Sequence, residues 1–76
     1  MISADPWENA KACAHARENA RTNPDRWARL TELIEMWTNL ANHRLFLTRQ
    51  ESASEFEKIG ALHAKLLGPQ ASLVTH

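Results

Sequence analysis

One cysteine, two glycines and no excess of either charge mark this 76-residue chain. With Cys13 alone, no disulfide can close within the chain. Two glycines are too few for a glycine-rich phosphate loop. No apolar run approaches the roughly 18 residues that a membrane-spanning helix needs. The opening Met-Ile-Ser-Ala-Asp-Pro has neither the basic start nor the apolar stretch of a secretion signal. A single thiol without a leader implies a cytoplasmic chain with no membrane partner. Nine basic and nine acidic side chains cancel, so no long-range attraction draws the chain to a phosphate backbone and nucleic acid is disfavoured as a partner.

What the chain does have is one strongly patterned stretch. Trp27, Leu30, Ile34, Trp37 and Ala41 recur at spacings of three and four, and Leu33, Met36, Leu40 and Leu47 form a second stripe beside them. Both stripes fall on one broad face of an α-helix. Two tryptophans on that face are a large apolar area for so small a chain, and they require a cover.

The punctuation around this stretch predicts three helices. Asp5 or Ser3 can cap a first helix at residues 6–21, with Pro6 in the first turn. Its Trp7, Ala10, Cys13, Ala14, Arg17 and Ala20 share a face that is small apart from Trp7, which permits close approach of a neighbour. Asn23-Pro24 then stops one helix and caps the next, expected at 24–48 and antiparallel to the first across so short a link. Two S-x-x-E patterns, Ser52 with Glu55 and Ser54 with Glu57, fit a capping box and place a third helix at 53–67. Phe56, Ile59, Gly60, His63, Leu66 and Leu67 line its face, with Leu62 on the flank. Gly68-Pro69 is a stop signal, and residues 69–76 read as a flexible tail. There is no strand signal. Residues 1–76 therefore form one all-α domain, a helical hairpin plus a third helix.

No catalytic, cofactor or metal constellation emerges from the spacing. Cys13 and His15 point apart on a helix, so the thiol reads as a small buried hydrophobe and the histidines as polar or boundary positions. His43 and His63, on different helices, could in principle meet. Glu32 and Glu35 flank the apolar stripe and read as a solvated face, Glu32 within ion-pair reach of Arg29. Thr48, Ser52 and Ser54 are better read as caps than as nucleophiles. Arg17, Arg21, Arg26 and Arg29 around Trp27 could form a basic-aromatic patch for an anionic partner, but Glu18, Asp25 and Glu32 interleave with them and favour an ion-paired surface.

The segment Leu30-Thr-Glu-Leu33-Ile-Glu-Met36-Trp37-Thr-Asn-Leu40-Ala41, preceded by a helix with an alanine-flanked Cys13, resembles a pattern in short uncharacterised α-helical proteins of alphaproteobacteria, the rhizobial group. The resemblance spans residues 7–41 and rests on a second helix ending in W-x-x-L-A. It implies a bacterial origin and a helical hairpin, and it carries no activity and no site residue.

A chain of this length buries only about 60% of its unfolded surface, and small domains commonly gain stability by association. The expectation is a dimeric helical bundle whose seam draws on Trp27, Leu30, Ile34, Trp37, Leu40, Leu47 and Phe56. The function expected is a non-enzymatic interaction module, a regulator, adaptor or inhibitor that uses an apolar helix face to bind itself or a partner, without cofactor. The alternative is a small helical DNA-binding or phage-type regulator that inhibits a nucleic-acid enzyme.

Overall fold

A computed structural model describes residues 2–67. The expected tail lies outside the described residues. Three α-helices follow one another, α1 at Pro6–Glu18, α2 at Pro24–His43 and α3 at Arg49–Leu67, with a single 3-10 turn at Arg44–Phe46 between the last two. No strand occurs among the described residues. Both α1 and α3 pack on α2, which is the middle of the arrangement.

The start of α1 is tied down twice. Asp5 caps it, its Oδ1 accepting from the Trp7 amide at 3.0 Å, and Pro6 occupies the first turn, where a missing N–H costs nothing. Asn9, fully buried on α1, then grips the chain ahead of the cap. Its Oδ1 accepts from the Ser3 amide at 2.7 Å and its Nδ2 donates to the Ser3 carbonyl at 2.8 Å. This reciprocal pair gives a buried amide the partners that its burial demands, and it holds Ile2 against the core and beside Gly60 of α3.

α1 ends at Glu18, earlier than the expected 21. The Asn19 and Ala20 amides bond back to Ala16 and Arg17 carbonyls, and Asn23 to that of Ala20. Ala20 is thereby buried in the turn. Asn23 caps α2 as expected, accepting from the Arg26 amide at 3.2 Å, with Pro24 and Asp25 in the first turn.

α2 ends at His43 rather than 48, and α3 begins at Arg49 rather than 53. The cause is a capping box four residues upstream of the expected one. Thr48 Oγ1 accepts from the Glu51 amide at 3.0 Å, while Glu51 Oε1 accepts from the Thr48 amide at 2.9 Å. Ser52 and Ser54 lie inside the helix instead. With Thr48 committed as a cap, Leu47 is extended and packs on the core. Leu45 and Phe46 face solvent in the 3-10 turn, 91% and 83% exposed.

The core joins all three helices. Ala10 and Cys13 of α1, Leu33, Trp37 and Leu40 of α2, and Ile59 of α3 are buried together, with Ile2, Ile34, Leu47, Phe56, Leu66 and Leu67 packed around them. Trp37 is wholly enclosed. The Phe56 ring meets it edge-on, centroids 5.1 Å apart at 64°, a favoured aromatic geometry.

Candidate functional site

Two places in the fold carry more chemistry than packing requires. The first is buried. Cys13 from α1, Trp37 from α2 and His63 from α3 meet at the centre, all three shut away from solvent. The Trp37 Nε1–H donates to His63 Nδ1 at 3.1 Å, and the rings lie edge to face at 5.7 Å and 73°. Cys13 Sγ lies 3.6 Å from the same Nδ1.

An indole N–H can only donate, so Nδ1 must be the accepting nitrogen and the imidazole is the neutral Nε2–H tautomer. Burial lowers the pKa of His63 below its usual 6.5, and the positive amino terminus adds to the effect. Burial also pushes the Cys13 thiol up to about 11, with the Trp37 N–H pulling weakly the other way. A thiol held protonated and enclosed is a poor nucleophile and a poor metal ligand. Its neighbouring base is already occupied by the indole. The cluster therefore stores structure and does not fit a cysteine–histidine catalytic pair.

Sequence reasoning placed His63 on the right face but read the histidines as polar or boundary positions, which for His63 was incorrect. The Ile59-to-His63 step of four was the available signal. The partners were hidden, because Cys13 and His63 stand fifty residues apart. His43 does not join them. It is exposed at the end of α2, where Nδ1 donates to the Asn39 carbonyl at 2.8 Å, and His15 is exposed on α1. No group of three or more metal-ligating side chains exists among the described residues.

The second place is the corner between α2 and α3. Beside the exposed Leu45 and Phe46 lies an open groove of about 1050 Å³ whose lining mixes Leu47, Ala53 and Phe56 with Thr48, Gln50 and Ser54. Arg44, Arg49 and Glu57 stand around it.

The seam expected on α2 is placed differently. Leu30, Trp37 and Leu40 lie in the chain's own interior and offer no surface to a partner in this fold. Ile34, Leu47 and Phe56 are half-buried against the same core. Only Trp27 of that set is substantially exposed, at 41%, and it is already engaged. The Arg17 guanidinium lies over its ring, 4.8 Å from the centroid, and also donates to Thr31 Oγ1 at 3.1 Å. Arg21 pairs with Glu18 at 3.9 Å, so two of the four arginines near the first turn already have partners within the chain. The expected Arg29–Glu32 ion pair is not formed among the described residues.

No known family profile, curated protein or solved structure matches this chain. No helix among the described residues is long and apolar enough to cross a membrane.

Proposed function

We propose that this chain is a non-enzymatic interaction module that acts in the cytoplasm and docks through the α2–α3 corner onto a second copy of itself. One observation carries the reading. Two adjacent large apolar side chains, Leu45 and Phe46, stand almost wholly in solvent beside an open groove of mixed apolar and polar lining. Exposure of that kind has a cost in water, and it is commonly found where a partner covers it.

A protrusion and a receptacle side by side on one face suit a two-fold interface, in which each copy presents both halves. The groove carries charges of both signs, so a rotation that sets Arg44 and Arg49 near the partner copy's Glu57 adds complementarity. The zero net charge lets two copies approach without mutual repulsion. A patch confined to one corner makes a small interface, so the association is weak and concentration-dependent.

Sedimentation over about a hundredfold range of concentration tests the reading. The mass rises from 8.6 kDa toward twice that value, while the Leu45→Glu, Phe46→Glu double variant stays monomeric with unchanged helicity. A native chain that remains monomeric at the highest concentration overturns self-docking.

A further inference from the structure

α3 has an unusual anchor. Its fully buried residues are Ile59, Gly60 and His63. One of these is apolar, one has no side chain, and the third is a titratable ring. The polar contacts that reach from α3 into the rest of the core both end on His63 Nδ1, the Trp37 indole N–H at 3.1 Å and the weaker Cys13 Sγ at 3.6 Å.

The geometry dictates what a second proton would do. Nε2 already carries hydrogen, because Nδ1 is the acceptor. The incoming proton must therefore settle on Nδ1, the atom at which the indole N–H points from 3.1 Å. Acceptor would become donor, and two N–H groups would face each other in a site closed to water. The indole would lose its nitrogen acceptor and keep only the weak sulfur acceptor of Cys13, in a position where a weakened hydrogen bond is expensive.

The surroundings offer no relief. From α1 the titratable group facing the ring is the Cys13 thiol, a weak acceptor held neutral. From α2 the facing group is Trp37, which carries no charge. No carboxylate among the described residues pairs with His63, and the amino terminus contributes positive charge. Among the described residues no carboxylate or other strong acceptor that would stabilise an imidazolium is in reach.

We propose that the Trp37–His63 bond is an acid-sensitive latch that holds α3 on the α1–α2 hairpin and opens when His63 takes a second proton on Nδ1. The sign follows from linkage. The folded ring resists protonation, while the unfolded ring takes a proton at the ordinary value of 6.5. The contribution of His63 to stability is therefore complete above that pH and declines as pH falls below it. The closed state loses up to about tenfold in population per pH unit until the folded ring itself titrates.

Two measurements test the latch. In nitrogen-15-labelled protein at about pH 8, the Trp37 indole N–H shows a through-bond coupling to His63 Nδ1, and that coupling is lost reversibly as the pH is lowered below 6.5 into the acid range. Its absence at the higher pH, or its persistence at the lower, overturns the proposal. In a Trp7→Phe, Trp27→Phe background, Trp37 emission shifts to the red over the same interval. His63→Gln, which keeps an acceptor for the indole but takes up no proton, abolishes that shift, whereas His43→Gln leaves it in place. A His63→Gln protein that titrates like its parent overturns the proposal, and the coupling decides the matter if that variant does not fold.

Discussion

The α1–α2 hairpin and α3 are held by different means. In the hairpin, Ala10, Cys13 and Ala20 present a low profile against which Leu30, Leu33, Trp37 and Leu40 close. Its ends are specified locally, by Asp5 and Pro6 at one helix and Asn23 and Pro24 at the other. α3 has a local start signal of the same quality in Thr48 and Glu51, but its buried residues are one isoleucine, one glycine and one histidine, with Phe56, Leu66 and Leu67 only half-buried around them. A hairpin of this kind tolerates changes of pH because packing has no charge state. A helix anchored through an imidazole does not.

Trp37 belongs to both regions, so its loss breaks the comparison outright. Trp37→Ala removes a wholly enclosed indole and leaves Nδ1 of His63 without its donor. The expected cost is about 3–5 kcal/mol, comparable with the whole stability of many small domains. Urea denaturation should find the variant largely unfolded in buffer. A cost under about 1 kcal/mol would mean that the indole is not the shared centre.

A change centred on the hairpin side is the next in size. Asn9→Ala frees the Ser3 amide and carbonyl from their buried partner, at about 1–3 kcal/mol. Asn9 makes no hydrogen bond to the imidazole cluster, so the loss falls first on the segment ahead of α1. Hydrogen exchange at Ser3 should accelerate while the Trp37 indole N–H stays protected. A matching loss of protection at Trp37 would show that the two regions are one cooperative unit.

The smallest effect strengthens the weaker partner. A Cβ at Gly60 would meet Ile2 Cδ1 at 3.5 Å, ordinary contact distance. Gly60→Ala should therefore keep the packing and gain helix propensity, raising stability by about 0.5–1 kcal/mol in thermal melts. Destabilisation would mean that Ile2 is pressed onto α3 more tightly than the distance implies.

Legibility differed along the chain for identifiable reasons. The starts of α1 and α2 could be read because proline, asparagine and aspartate act on the backbone within three residues of themselves. The α2–α3 corner could not be assigned correctly, because three overlapping boxes compete there. Thr48 with Glu51, Ser52 with Glu55 and Ser54 with Glu57 have the same spacing, and the choice turns on whether Leu47 reaches the core. The α2 stripe was read correctly as apolar, yet its division into interior and surface depended on how much α1 and α3 cover. Trp27 and Trp37 have the same side chain on the same helix, but one is wholly enclosed and the other rests under an arginine at the surface.

The amino-acid sequence alone determined that this chain is all helical, where its first two helices begin, and which face of α2 is apolar. Those features follow from interactions between residues a few positions apart, where spacing is geometry. Only the tertiary structure decided that Cys13, Trp37 and His63 meet, that the α2 stripe is largely the chain's own core, and that Leu45 and Phe46 are left outside it. Contacts across fifty residues depend on how three helices share one small interior, and no local pattern encodes how that space is divided.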